Sequence, residues 1–403
     1  LKDLRMPQLA ERMSRAVPSA IMAVAEKAAK LKSEGRDIIS FSIGVPNFLP
    51  GPHVYEAARE ALTKDSGNYG SNRGPIALLD AYLAHLKRNG FDGYTRANLC
   101  YGVGAKHVIF NAMFAALNEG DELILPTPYW TSHMDIAQIL GVKTVLATCS
   151  AAQNYKLTPE QLERSITPKT RMLVFNNPSN PTGMVYTEAE VHALADVIAK
   201  HDFWVLSDDI YNQMLFDGLS WPHMLKIRPE LKDRVILLDS LSKTYGMPGW
   251  RVGFAAASEA MASAMVTLNS NHITNLPEVV CAAAVAALSG PQDIPNAKAR
   301  EFAGRRDEVM SVLGSIPGVI CPRPQGAFYA FPDISVAFGK HHQGRLIAND
   351  LDFCNLLLEV KGVACVPGRA FGESKAMRIS YTCKPAELSE GLSRIKAFFN
   401  ELS

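Results

Sequence analysis

Between residues 99 and 256 the chain keeps switching between two periodicities. Short apolar runs occur at 99–103, 122–125, 144–147, 172–176, 204–207, 235–239 and 252–256. Helical patterns at 105–118, 158–165 and 187–200 separate several of them. Runs of that length are strand-sized, and their near-continuous apolar character requires cover on both faces. Strands alternating with helices give parallel crossover units. The expected fold is therefore α/β, a mostly parallel seven-stranded sheet covered by helices. Further helices are expected at 19–34, 53–64, 74–88, 258–269, 277–289, 295–314, 348–361 and 386–402. The first of these is capped by Ser19 and stopped by Gly35, with Ala20, Val24, Ala28 and Leu31 forming one apolar stripe.

Near residue 290 the pattern changes. A long charged helix precedes short apolar runs at 319–322, 327–331, 363–366 and 377–380. This predicts a smaller α+β domain over 291–403, joined by the N-terminal segment 1–50, with the large domain spanning 51–290.

Composition excludes several classes of function. Lysine and arginine total 41 against 40 acidic residues, so no basic footprint for nucleic acid or an anionic membrane surface is present. The longest apolar run, 279–288, is about half of the roughly 20 residues a membrane-spanning helix needs. The first 35 residues carry charges throughout, unlike a secretory signal. Seven scattered cysteines without a C-x-x-C pair read as reduced thiols, which predicts a cytoplasmic location. The histidines do not cluster at ligand spacing, so no metal site is expected.

Four segments carry chemistry. Ser240-Leu241-Ser242-Lys243-Thr244-Tyr245-Gly246-Met247-Pro248-Gly249-Trp250-Arg251-Val252-Gly253 follows an apolar strand. It therefore lies at the carboxyl edge of the sheet, where α/β proteins bind ligands. Lysine can form a Schiff base with a carbonyl cofactor, and hydroxyls with an arginine fork suit a phosphate. Asn176-Asn177-Pro178-Ser179-Asn180-Pro181-Thr182-Gly183 is a turn in which Asn177 and Asn180 each precede proline and are pushed out of helical geometry. Ser207-Asp208-Asp209-Ile210-Tyr211 puts carboxylates at a buried strand end, where they need partners or serve as a helix cap. Tyr101-Gly102-Val103-Gly104-Ala105-Lys106 joins a strand to a helix whose first N–H groups suit a phosphate. It lacks the last glycine of the dinucleotide fingerprint.

Taken together these segments resemble the class I, fold-type I pyridoxal-phosphate aminotransferases, most nearly the bacterial-type aspartate aminotransferase subgroup. Ile43-Gly44-Val45-Pro46-Asn47-Phe48, Thr127-Pro128-Tyr129-Trp130, Gly326-Ala327-Phe328-Tyr329 and Met377-Arg378-Ile379-Ser380-Tyr381 extend the likeness over nearly the whole chain.

The resemblance implies the following roles. Pyridoxal 5′-phosphate is the cofactor, Lys243 its Schiff-base lysine and proton carrier, and Asp208 the partner of the pyridine nitrogen. Tyr211 and Asn180 bond the ring oxygen, and Trp130 stacks on the ring. Ser240, Ser242, Arg251 and the backbone of Gly104, Ala105 and Lys106 take the phosphate. Tyr69 reaches the phosphate of a second subunit, so the implied assembly is a homodimer with composite sites. Arg378 and Gly44 hold the substrate α-carboxylate. Lys106 supports a side-chain carboxylate, which favours aspartate or glutamate as donor and 2-oxoglutarate as acceptor.

Two departures from the subgroup pattern, Ile21 and His272, leave aromatic, prephenate-like or specialised substrates open. A different reaction of the same cofactor, namely elimination, decarboxylation, racemisation or oxidation, also stays open, because fold and cofactor do not fix reaction type.

Overall fold

Leu123 and Leu125 face one side of the central sheet and Ile124 the other; the same alternation holds for Met172 and Val174 against Leu173 and Phe175. All of these are buried, so one apolar core lies on each face. This is the two-sided cover that the continuous apolar runs call for.

The computed structural model describes residues 7–64 and 67–403. The N-terminal part contributes α1 (Ala20–Ser33), β1 (Ile39–Ser40), α2 (Pro52–Thr63) and α3 (Ile76–Arg88). Strand and helix then alternate: β2 (Leu99–Val103), α4 (Gly104–Ala116), β3 (Glu122–Thr127), α5 (Thr131–Ile139), β4 (Lys143–Thr148), α6 (Pro159–Ser165) and β5 (Thr170–Asn176). They continue through α7 (Glu188–Ile198), β6 (Trp204–Asp208), α8 (Met224–Ile227), β7 (Val235–Ser240), α9 (Leu241–Thr244) and β8 (Val252–Ala256). Three helices follow, α10 (Glu259–His272), α11 (Glu278–Ser289) and α12 (Asp293–Gly314). The C-terminal part holds β9 (Tyr329–Ala330), β10 (His341–His342), β11 (Arg345–Leu346), α13 (Asp350–Lys361), β12 (Val363–Ala364), β13 (Val366–Pro367), β14 (Met377–Ser380) and α14 (Pro385–Asn400).

The central sheet has seven strands in the order β2-β8-β7-β6-β5-β3-β4. Only β8 runs against its neighbours. The expected mostly parallel α/β sheet is therefore the fold. On one face α4 and α5 pack together with α12 to α14; on the other lie α3, α7 and α11.

Two expectations need correction. Residues 319–322 form no strand and make only an isolated bridge, Ile320 to Asp333, because Pro322 and Pro324 remove backbone donors there. The run 363–366 is split at Cys365: β12 pairs in parallel with β1, and β13 pairs antiparallel with β14. The N-terminal strand is thus hydrogen-bonded to the C-terminal part of the chain. Helix α5 is absent from the sequence expectation altogether.

Candidate active site

The carboxyl ends of the parallel strands deliver Val103, Thr127, Asn176, Asp208 and Ser240 to one edge. Because β8 is reversed, its first residues reach the same edge, and Arg251 immediately precedes them. A cavity of about 340 Å³ opens there. That is within the ordinary range for a small-molecule site, roughly 300–1,000 Å³.

Lys243 lines the cavity from the single turn α9, and its Nζ donates to the Gly44 carbonyl at 2.7 Å. Burial pushes its amine down to about 8; Arg378 and Arg251 push the same way and Asp208 opposes them. Ser240 caps α9 by accepting the Ser242 N–H at 3.1 Å, and its Oγ lies 2.9 Å from Ser242 Oγ. Arg251 has φ 57°, a left-handed backbone unusual for a residue with a side chain. Its guanidinium donates to Pro248 and Val103 carbonyls. A Cβ on Gly104 would overlap that guanidinium, and one on Gly253 would lie 2.6 Å from Ala105 N. Both glycines are therefore needed to bring Arg251 against the start of α4. That helix has no side-chain cap, so its first N–H groups are left to a ligand.

Asp208 ends β6, and its carboxylate is buried. Its Oδ2 lies 3.0 Å from His133 Nε2, and among the described residues its Oδ1 has no partner. Asn176 donates to the Asp208 carbonyl at 2.8 Å and accepts the Asn180 N–H at 2.8 Å, tying the Asn/Pro turn to the strand that carries the aspartate. Tyr211 follows on the next turn, its hydroxyl 2.8 Å from that of Tyr329.

Arg378 sits on β14 and is 1% exposed. Its guanidinium donates to Asn180 Oδ1 at 3.0 Å and to the Ser42 carbonyl, and stacks between Tyr329 and Phe371. Among the described residues no carboxylate pairs with buried Arg378, although the two other buried arginines, Arg305 and Arg306, each have one; the exposed Arg251 and Lys106 also lack a carboxylate partner. A buried, unpaired guanidinium is costly unless a ligand supplies the anion.

Of the residues singled out from the sequence, Ile21, Gly44, Ala105, Lys106, Trp130, Asn180, Tyr211, Ser240, Ser242, Lys243, Arg251 and Arg378 line this one cavity. Gly104 and Asp208 lie immediately behind it in the chain. Tyr69 and His272 do not line it. Tyr69 is 90% exposed. His272 ends α10, and its Nδ1 is 3.2 Å from His107 Nε2, on the outer side of α4.

Three contacts around the site escape the sequence reading: His133 on Asp208, Tyr329 on Tyr211, and the link made by Asn176. His133 stands one helical turn after Trp130, so a helix drawn there would have put both on one side.

The chain matches the description "Aminotransferase class I and II" over residues 36–395. It belongs to that family. It is 40% identical over 400 residues to an aspartate/prephenate aminotransferase from Cereibacter sphaeroides, covering 99% of this chain and 100% of the relative. An aspartate aminotransferase from Rhizobium meliloti is 40% identical over 396 residues, 98% of this chain and 97% of the relative. The crystal structure of a Rhizobium meliloti aspartate aminotransferase superposes with a TM-score of 0.95 at 39% identity, covering 99% and 100% of the two chains. This aminotransferase is thus a pyridoxal-phosphate enzyme of fold type I. The residues present fit that cofactor: an amine for its aldehyde, an unpartnered buried carboxylate oxygen for its ring nitrogen, and an uncapped helix start with two hydroxyls and an arginine for its phosphate.

Proposed function

We propose that this aminotransferase prefers a dicarboxylic amino donor, aspartate or glutamate, with a 2-oxo acid such as 2-oxoglutarate as acceptor. The observation that carries this reading is the charge inventory of the cavity. Arg251, Arg378 and Lys106 all line it without a carboxylate partner among the described residues. One phosphate and two substrate carboxylates would match them.

Arg378 takes the α-carboxylate as a two-pronged fork, and the backbone at Gly44 closes over it. Lys106, its ammonium 5.3 Å from the Trp130 ring centroid, takes the side-chain carboxylate. Ser240, Ser242, Arg251 and the N–H groups of Gly104, Ala105 and Lys106 hold the phosphate. Asp208, fixed by His133, keeps a proton on the ring nitrogen, and Tyr211 and Asn180 address the ring oxygen. When bound, the cofactor supplies a carbonyl for the amino group and an electron sink for the substrate Cα. Lys243, whose amine burial pushes down to about 8, removes the Cα proton and returns it on the far side of the transfer. With Trp130 stacked on the ring, donor and acceptor use the same cavity in turn, a ping-pong order.

We further infer a homodimer in which Tyr69 completes the partner's site. Ile43, Val45, Leu49, Tyr55 and Ile76 are exposed apolar residues that favour such a partner. The division at residues 50 and 290 is read as a large cofactor domain with a small domain built from both chain ends, supported by the β1–β12 pairing. Seven free cysteines, five of them buried, support the cytoplasm.

A second reading is favoured by the apolar mouth, where Ile21, Met22, Ile43 and Val45 line the cavity: an aromatic donor or a prephenate-like acceptor. The test is a half-reaction screen. Cofactor-loaded protein is mixed with single amino acids, and loss of the cofactor's absorption band is followed. Aspartate and glutamate are expected to react fastest. Reaction confined to apolar donors would overturn the dicarboxylate reading. Ammonia or CO₂ release without amino transfer would overturn transamination as the main reaction.

A further inference from the structure

Tyr329 has no role in the reading above, yet it touches three of its parts. It lies on β9, paired with Ser380 of β14. Residues two apart on a strand share a face, so Tyr329 and Arg378 are diagonal neighbours. The Arg378 guanidinium lies 4.7 Å from the centroid of the Tyr329 ring. The Tyr329 hydroxyl is 2.8 Å from the Tyr211 hydroxyl and has no other side-chain partner among the described residues. A Cβ on Gly44 would fall on that hydroxyl. Tyr329 is 2% exposed and Tyr211 1%, so the bond is largely shielded from bulk water.

Two hydroxyls in contact share one hydrogen bond, and either can donate. If Tyr211 turns its proton toward the cofactor's ring oxygen, its own oxygen becomes a buried acceptor. Tyr329 is then the group placed to donate to it. A donor whose oxygen is itself hydrogen-bonded donates more strongly, because chains of hydrogen bonds polarise one another.

We propose that Tyr329 is a positioning residue with two separable actions: its hydroxyl strengthens Tyr211 as a donor to the cofactor, and its ring holds the Arg378 guanidinium for the α-carboxylate. This rests on the assignment of Tyr211 to the ring oxygen.

The test compares cofactor-loaded wild type with Tyr329→Phe, Tyr329→Leu and Tyr211→Phe. The readouts are the pH midpoint at which the cofactor absorption band changes, kcat, and KM. Cofactor occupancy and far-ultraviolet circular dichroism verify folding. Tyr329→Phe keeps the ring, so the midpoint is expected to rise by about half a pH unit, with kcat down about threefold and KM unchanged. Tyr329→Leu loses the ring too and is expected to add an increase of about tenfold in KM for every amino donor. Tyr211→Phe is expected to raise the midpoint further than either. An unmoved midpoint in Tyr329→Phe, with a raised one in Tyr211→Phe, overturns the inference and leaves the Tyr211 assignment standing. An unmoved midpoint in Tyr211→Phe overturns both. Equal KM in Tyr329→Phe and Tyr329→Leu overturns the action on Arg378. Since Tyr329→Phe fills the same space, simple core packing predicts no shift in the midpoint.

Discussion

At the sheet edge the polar groups are held by one another. Asp208 is braced by His133 and Asn176, Asn180 by Asn176 and Arg378, Tyr211 by Tyr329, and Ser240 by Val252 and α9. At the mouth, contributed by the N-terminal segment, the side chains are apolar and open: Met22 is 49% exposed, Ile43 40% and Val45 44%. The floor is braced within one chain, whereas the mouth is open and Tyr69 is exposed. On the proposed reading the groups fixed in advance do the chemistry, because donors already oriented cost nothing to reorganise when charge develops. On the same reading the groups left open select the substrate. Substitutions in the floor should therefore change rate and spectrum, and those in the mouth should change preference.

The largest effect belongs to Lys243. Lys243→Ala is expected to lower turnover by about 10⁴-fold, the upper end of what a lost proton carrier costs, and to abolish the cofactor's bound absorption while leaving the circular dichroism spectrum intact. Turnover near wild type would remove Lys243 from the reaction. The same residue gives a pH test. Only the unprotonated amine attacks a carbonyl, and an ordinary lysine titrates near 10.4. With its amine pushed down to about 8, the cofactor-free chain should react with an aldehyde at a rate that climbs about tenfold per pH unit below 8 and levels off above it. A rate still climbing at pH 10 would mean that Lys243 behaves as an exposed lysine.

Arg378 comes next. Arg378→Lys keeps the charge but loses the fork and the stacking between Tyr329 and Phe371. The expected result is a fall of about 100-fold in kcat/KM, mostly through KM, for all amino donors alike. A loss confined to dicarboxylates would move Arg378 from the α-carboxylate to the side chain.

The contrast between floor and mouth also explains what could be read from the sequence. The motif from Ser240 to Gly253 was legible because an apolar strand precedes it and its lysine, hydroxyls and arginine suit a Schiff base and a phosphate. The seven sheet strands were legible because both of their faces are apolar. Helix α5 was not. Its sequence, Thr-Ser-His-Met-Asp-Ile-Ala-Gln-Ile, buries Thr131, Ser132 and His133 along with Ile136 and Ala137. A helix with a polar buried face gives no apolar stripe at helical spacing, and that face is polar because it serves the site. The C-terminal strands are two to four residues long and are held by pairing with distant segments, which periodicity cannot register. His272 was drawn to the cavity by its position in a motif, but the last turn of α10 packs it on His107.

His133 offers a smaller, more discriminating test of the floor. In His133→Asn the helix keeps a polar residue, but the contact with Asp208 Oδ2 at 3.0 Å is lost. Asp208 would remain buried and charged with one fewer donor, so it would hold the cofactor's ring proton less firmly in one orientation. The expected change is about threefold to tenfold in kcat, the worth of one hydrogen bond, with KM for aspartate unchanged and the cofactor band shifted. A changed KM with an unshifted band would assign His133 to the mouth instead.

At the mouth itself the expected effect falls on donor preference and not on the rate for every donor. Lys106 is exposed at the cavity; desolvation pushes its amine down against the opposing pull of Asp135, and no carboxylate lies within salt-bridge distance among the described residues. Lys106→Ala should reduce kcat/KM for aspartate and glutamate about tenfold and leave aromatic donors within about twofold, because the α-carboxylate and the floor are untouched. Ile21→Thr should do the reverse on a smaller scale. A hydroxyl at the cavity wall can donate to a distal carboxylate but forfeits an apolar contact, so the ratio of aspartate to phenylalanine activity should rise by about threefold. If both substitutions changed all donors equally, the mouth would be acting on catalysis rather than on choice, and the division between a fixed floor and a selective mouth would fail.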